Sequence, residues 1–110
     1  MNLFNEIQML TNKLNQAIRL LAQYGKEFAD TEMDYKIVLR QEALKLRAEK
    51  NMPVTLIQQV VYGVPEVAEK RRKRDYAEAM YNTAQENVNS IKLQLRIMEN
   101  QLNREWGNSK

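Results

Sequence analysis

Apolar residues recur with alternating steps of three and four over two long stretches of the chain. The first stretch carries them at Leu3, Ile7, Leu10, Leu14, Ala17, Leu21, Tyr24 and Phe28. The second carries them at Tyr81, Ala84, Val88, Ile91, Leu95, Met98 and Leu102, with Trp106 one residue past the next position. This spacing is that of a heptad seam, which lies along one side of a helix and is buried only against a partner. The pattern therefore predicts two long helices that pack against each other.

The first helix is predicted to run from about residue 2 to residue 50. Asn2 is a suitable N-cap residue. A glycine inside a helix costs roughly 1 kcal/mol relative to alanine, but the seam continues on both sides of Gly25, so we expect the helix to continue through it. The later seam positions are Tyr35, Leu39 and Leu46. Pro53 disfavours helical geometry in the residue before it, so the helix should end by Asn51 and Met52.

The segment after this helix is short and apolar. Thr55 is expected to cap a short helix over about residues 55–62, and Gly63 to end it in a left-handed conformation. The valines also suit a strand, but a single strand would have no partner elsewhere in the chain. Pro65 suits the first turn of a second long helix, predicted over about residues 65–106.

These elements predict an all-α fold class: one domain over residues 1–110, built as an antiparallel two-helix hairpin of the coiled-coil type with a short connecting helix. Such a hairpin brings Leu14 near Leu95 and Tyr35 near Arg74. It also brings Trp106 near Leu3, where its ring would either close the end of the core or anchor an oligomer.

The chain contains neither cysteine nor histidine. Disulfides, zinc sites built on thiolates and nucleophiles activated by an imidazole are therefore excluded. We expect no enzymatic activity, no cofactor and no metal. The first ten residues lack the pattern of a signal peptide, and no apolar run approaches the roughly 18 residues of a membrane span. We therefore expect a soluble cytoplasmic protein without membrane contact.

The charge is patterned along the chain, although the net charge is only +3. An acidic run, residues 27–34, holds four acids and no base, at Glu27, Asp30, Glu32 and Asp34. A basic run holds five successive bases, at Lys70, Arg71, Arg72, Lys73 and Arg74. The basic run either contacts phosphates or an acidic partner, or forms ion pairs with the acidic run and with Glu66, Glu69 and Asp75. The hairpin places the acidic run beside residues 75–82, next to the basic run.

Several further residues are candidates for binding. Tyr76 lies off the seam beside Arg72 and Lys73, whereas Tyr24, Tyr35 and Tyr81 lie on the seam and are expected in the core. A second group of bases, Lys45, Arg47 and Lys50, is expected near the basic run, at the end where the helices are connected. Exposed tyrosines beside bases also suit stacking on single-stranded nucleic acid.

A hairpin of two helices buries little apolar surface by itself. The chain carries further large apolar residues off the seam, which we predict to form an oligomer interface: Ile18, Leu20, Ile37, Leu44, Ile97 and Trp106. The expected assembly is a homodimer.

A dispersed set of residues carries a resemblance to a known family. The set comprises Pro53, Val54, Thr55, Leu56, Ile57, Gly63, Val67, Ala68, the basic run, Asp75, Ala77, Glu78, Met80, Tyr81, Ala84, Gln85, Glu86, Asn89, Lys92, Arg96, Gln101, Glu105 and Trp106. This pattern resembles a family of small proteins encoded by bacteriophages and prophages of Gram-positive bacteria.

The resemblance implies an early-expressed accessory protein in the cytoplasm of the infected cell. It implies a non-enzymatic protein that binds and modulates a nucleic-acid-processing protein of the host or phage, as an inhibitor or an adaptor, with inhibition favoured and CRISPR effectors among the possible targets. Two alternatives stay open. One is direct binding of single-stranded DNA or RNA during phage replication or recombination, and the other is a structural coiled-coil role in virion assembly.

Overall fold

The computed structural model describes residues 2–108, of which Asn108 is described by its backbone alone. In this range the chain forms four helical elements and no strand. Helix α1 is Leu3–Lys50, α2 is Val54–Val60, a 3₁₀ helix follows at Val61–Gly63, and α3 is Pro65–Asn108. The predicted all-α class, with two long helices and a short one between them, is confirmed.

Both ends of α1 follow from local sequence. The Asn5 backbone N–H donates to Oδ1 of Asn2 at 2.8 Å, so Asn2 is the predicted N-cap. The helix is continuous through Gly25, as the uninterrupted seam predicts. It ends at Lys50, and the next residue, Asn51, has φ 49. Asparagine tolerates this left-handed conformation better than most side chains, which makes it a suitable residue to end the helix.

The predicted cap of the short helix is wrong. Helix α2 begins one residue earlier, at Val54, and Thr55 lies inside its first turn. The N-cap position is Pro53, which has extended geometry and makes no side-chain cap hydrogen bond. The Pro53 carbonyl accepts from the backbone N–H groups of Leu56 and Ile57, both at 3.0 Å. The backbone thus satisfies these first-turn donors without a hydroxyl cap.

The predicted left-handed conformation of Gly63 is also wrong, because no glycine in residues 2–108 has positive φ. Gly63 is the last residue of the 3₁₀ helix, and the chain turns at Val64, which is extended at φ −66 and ψ 127. Pro65 imposes this geometry on the residue before it. As predicted, Pro65 opens the next helix, where the Ala68 N–H donates to the Val64 carbonyl at 2.9 Å.

The chain divides into two compact units. The first unit joins Met1–Tyr24 with Tyr81–Lys110. Its core consists of seam residues of both long helices, Leu10, Ala17, Val88, Ile91 and Leu95, with Ile7, Leu14, Leu21 and Met98 packed against them. The predicted neighbours Leu14 and Leu95 therefore share one cluster, and within this unit the two long helices pack through the predicted seam.

The second unit is Gly25–Met80. Its core contains Tyr35, Leu46, Ile57, Val61 and Val67, with Val38, Leu39, Ala43, Met52 and Val64 packed against them. Ile57 of α2 and Val61 of the 3₁₀ helix thus cover one end of the helix pair. Along this pair Leu46 shares the core with Val67, and Tyr35 lies beside Arg74. The two segments are therefore antiparallel within the unit, and the predicted Tyr35–Arg74 contact is confirmed.

The large apolar residues assigned to an oligomer interface are all exposed. Trp106 is 67 % exposed, so the expectation that it closes the end of the core is not met. The reason lies in its position one residue past the seam, which turns it about 100° away from the buried side of α3. In the range that the structure describes, no helix combines the length and the apolar character that a membrane crossing requires.

Candidate functional site

The basic run occupies the second and third turns of α3, in the second unit. Because each residue of an α-helix turns about 100°, five successive bases point in different directions. Arg71, Arg72 and Lys73 are exposed, whereas Lys70 and Arg74 are half-buried. The run therefore divides into an outward part and an inward part.

Arg74 belongs to the inward part. Its guanidinium carbon lies 4.8 Å from the centre of the Tyr35 ring, and that ring belongs to the core of the second unit. Only 22 % of the Arg74 side chain is exposed, and its Nε donates to Oδ1 of Asp75 at 2.9 Å. The methylene stem of Arg74 thus covers the core, and its guanidinium makes a cation–π contact with Tyr35. Little of this side chain remains accessible to a binding partner.

Arg72 is held at the surface by Glu69. Its Nε donates to Oε2 of Glu69 at 3.0 Å, and its Nη2 donates to Oε1 at 2.7 Å. This hydrogen bonding lowers the pKa of Glu69 and raises that of Arg72. A planar guanidinium held through two donors has a fixed orientation, and its remaining donors are available to an acceptor on another molecule.

Two exposed tyrosines flank these bases. The guanidinium carbon of Arg71 lies 5.6 Å from the centre of the Tyr62 ring, which belongs to the 3₁₀ helix. Tyr76 lies one turn along α3 from Arg72 and is largely exposed. Tyr62, Ala68, Arg71, Arg72, Asp75 and Tyr76 line one open groove. We call the surface formed by Tyr62, Arg71, Arg72, Lys73 and Tyr76 the basic–tyrosine face.

The acidic run borders this face, as the sequence predicted. Glu27, Asp30 and Thr31 of α1 line a second open groove together with Arg72, Lys73, Tyr76 and Ala77 of α3.

The acidic run does not neutralise the basic run directly. Asp30 pairs with Lys26 at 3.8 Å and Glu32 with Lys36 at 3.6 Å, both along α1. Among the described residues no salt bridge within 4.0 Å joins the two runs. The ion pairs of the basic run are with Glu69 and Asp75, so the predicted internal pairing is made by neighbours on the same helix.

The second group of predicted bases surrounds the end of α1. Lys45 pairs with Glu42 at 3.3 Å, and Lys50 is the exposed last residue of the helix. Nη1 of Arg47 donates to the Met52 carbonyl at 3.0 Å, and thereby stabilises the turn between α1 and α2. None of these three side chains lines either groove of the basic–tyrosine face.

Sequence reasoning did not assign Tyr62 to the site. Its neighbour Arg71 is nine residues away, and the contact depends on the 3₁₀ helix and the turn at Pro65. Helical periodicity predicts contacts along one helix but not across a turn. The only indication of a role for Tyr62 in the sequence was therefore the presence of several tyrosines near bases. The assigned Tyr76 lies where the sequence placed it, beside Arg72 and Lys73.

The arrangement offers recognition groups: three outward cations, two aromatic rings and a bordering row of carboxylates. In residues 2–108 no group of three or more acidic side chains is arranged to hold a metal ion. The chain matches no protein-family model, no curated protein and no solved structure. The fold and the surface therefore define it only as an all-α protein with a charged, tyrosine-containing face.

Proposed function

We propose that this chain is a non-enzymatic bacteriophage accessory protein that binds and inhibits a nucleic-acid-processing protein in the infected bacterial cell. CRISPR effectors belong to this class of target. The observation that supports the proposal is the basic–tyrosine face. Its exposed bases Arg71 and Arg72 line one groove with the rings of Tyr62 and Tyr76, and its exposed Lys73 lies beside Tyr76. Arginine and tyrosine are enriched among the residues that contribute most to protein interfaces.

The charges around the face favour a protein partner over a nucleic acid. Glu69 and Asp75 lie among its bases, and Glu27 and Asp30 border it. A phosphate backbone would be repelled by these carboxylates, because it carries negative charge along its whole length. A protein surface with separate acidic and basic positions can match both signs, and such complementarity speeds the encounter and fixes the orientation of binding.

We further propose that the protein acts as a homodimer. Each unit exposes large apolar side chains, among them Ile18, Leu20, Ile97 and Trp106 in the first unit and Ile37 and Leu44 in the second. A chain of 110 residues with so small a core in each unit gains stability from covering such surface.

The test is capture from a lysate of a Gram-positive host, followed by an activity assay. Immobilised wild-type protein is compared with the variant Arg71→Glu/Arg72→Glu/Tyr76→Ala. A charge-matched control, Lys92→Glu/Arg96→Glu/Leu93→Ala, changes two exposed bases and one exposed large apolar side chain in the first unit. We expect the wild type and the control to retain one nucleic-acid-processing protein that the face variant loses, and circular dichroism to show equal helicity for all three.

The captured protein is then purified and its activity titrated with the wild-type chain. Inhibition that is complete near one equivalent supports the proposal. Equal capture by the face variant would overturn the assignment of the face, and capture without any effect on activity would overturn the inhibitory role.

Direct binding of single-stranded nucleic acid is the second candidate, supported by the two exposed rings beside three bases. Base–aromatic stacking contributes roughly 1–3 kcal/mol per base. Fluorescence anisotropy with labelled single- and double-stranded oligonucleotides at two salt concentrations tests it. Binding that prefers single strands, weakens steeply with salt and is lost in Tyr76→Ala would favour this function over the first.

A further inference from the structure

The second unit exposes a second apolar row on α1, on the side opposite its core. Met33, Ile37 and Leu44 are exposed by 56, 47 and 69 %. They follow one another by four and seven residues, which places them on one side of the helix. The buried residues Tyr35 and Leu46 lie on the other side. This segment therefore has two apolar sides, of which the fold of the unit uses one.

We call Met33, Ile37 and Leu44 the outer stripe. Arg40 fills the gap in its heptad spacing, three residues after Ile37 and four before Leu44. An open groove runs beside it, lined by Ala29, Glu32, Met33, Lys36, Ile37 and Arg40. The stripe thus has the spacing of a short coiled-coil seam with one arginine in it, and the long arginine stem can cover apolar surface while its charge reaches water.

The charge along α1 changes sign within this stripe. Residues 27–34 hold four acids and no base, whereas residues 35–50 hold five bases and two acids. A second copy of α1 laid in parallel would bring acid against acid and base against base. A second copy laid antiparallel brings the acidic half of each helix against the basic half of the other, so both ends of the contact attract.

We propose that the outer stripe is the contact face of an antiparallel homodimer of this chain. In the register that sets Met33 of each copy opposite Leu44 of the other, Ile37 of each copy lies opposite Arg40 of the other, close to the two-fold axis. The arginine stem then covers Ile37 while its charge reaches water. The same register sets Asp30 opposite Arg47. The guanidinium has five donors, so Arg47 can bond this carboxylate and keep the Met52 carbonyl.

This inference rests on the proposed homodimer but not on the basic–tyrosine face. Light scattering first gives the mass, which is expected to be twice the 13.0 kDa of the chain. Leu44→Asp is expected to reduce it to one chain, since it places a carboxylate against Met33, inside the acidic run of the other copy. The control Leu93→Asp, at an exposed leucine of the first unit, is expected to leave the dimer intact.

Cross-linking tests the orientation, because the chain has no cysteine of its own. With a short bis-maleimide, Ile37→Cys should cross-link to its own copy. Leu44→Cys alone should not, since eleven residues of helix, about 16 Å at 1.5 Å each, separate its two copies along the axis. A mixture of Met33→Cys and Leu44→Cys chains should form the mixed cross-link.

Efficient cross-linking of Leu44→Cys to its own copy would overturn the antiparallel arrangement. A dimer that persists in Leu44→Asp would overturn the assignment of the face, and a wild-type mass of one chain would overturn the homodimer itself. None of these outcomes changes the capture experiment, so the two proposals fail separately.

Discussion

The guanidinium of Arg74 lies over the ring of Tyr35, 4.8 Å from its centre, and joins the end of the basic run to the core of the second unit. This contact shows that adjacent bases in one run have different roles. Lys73, one residue earlier, points outward beside Tyr76. Substitutions across the whole run would therefore mix a loss of binding with a loss of stability, and the two roles have to be tested at separate positions.

The first prediction concerns this division. Arg74→Ala should lower the free energy of unfolding by about 1 kcal/mol, because it removes a partly desolvated cation–π contact and the packing of the stem. Lys73→Ala should change it by less than about 0.5 kcal/mol, as is usual at exposed positions. Urea denaturation followed by circular dichroism measures both. Equal effects of the two substitutions would mean that the Arg74–Tyr35 contact does not stabilise the fold.

The second prediction uses two valines of the second unit. Val67 is 0 % exposed and Val54 is 59 % exposed. Val67→Ala should cost about 2 kcal/mol, from the lost transfer free energy and the cavity left behind, whereas Val54→Ala should stay within about 0.5 kcal/mol. Chemical denaturation of the two variants compares identical substitutions at opposite burial. If Val54→Ala were the more damaging change, the assigned core of this unit would be wrong.

The third prediction concerns the protonation of Glu69. The hydrogen bonds from Arg72 lower the pKa of this carboxyl in the folded state. The ion pair therefore contributes to stability at pH values above the unfolded pKa, and this contribution is lost as the pH falls through the folded pKa. Titration of the side-chain carboxyl carbons by NMR should place Glu69 below its ordinary value.

Arg72→Gln provides the control for this measurement. This substitution removes the Arg72 guanidinium, whose hydrogen bonds lower the pKa of Glu69. The pKa of Glu69 should therefore return toward its ordinary value, while Asp75 continues to pair with Arg74. An unchanged pKa in this variant would show that another group lowers it.

The long helices could be predicted from the sequence because each repeats one signal many times. The steps of three and four from Leu3 to Phe28 and from Tyr81 to Leu102 outweigh one unfavourable residue, Gly25. The pairing of Tyr35 with Arg74 followed from the same spacing, since the register of two helices is fixed once their connection is short.

The connection itself was less predictable, because single residues decide it. Two prolines determine its geometry. Pro53 is the N-cap residue of α2, so Thr55 lies inside the helix and does not cap it. Pro65 keeps Val64 extended, so the chain turns there and Gly63 does not adopt a left-handed conformation. The contact between Arg71 and Tyr62 depends on that turn. The division into two compact units could not be predicted from the seam, because the seam continues without a break from one unit into the other.

The last prediction compares the two residues that could have ended a helix in the left-handed conformation. Asn51 has φ 49, so Asn51→Ala places a less tolerant side chain there and should cost about 1 kcal/mol. Gly63 has no positive φ, and a Cβ at this position would meet nothing within 4 Å. Gly63→Ala should therefore stabilise the protein by about 0.5 kcal/mol, through the lower entropy of the unfolded chain. Thermal unfolding shows whether each alanine variant is more or less stable than the wild type. A less stable Gly63→Ala together with an unchanged Asn51→Ala would mean that Gly63, and not Asn51, has the left-handed conformation.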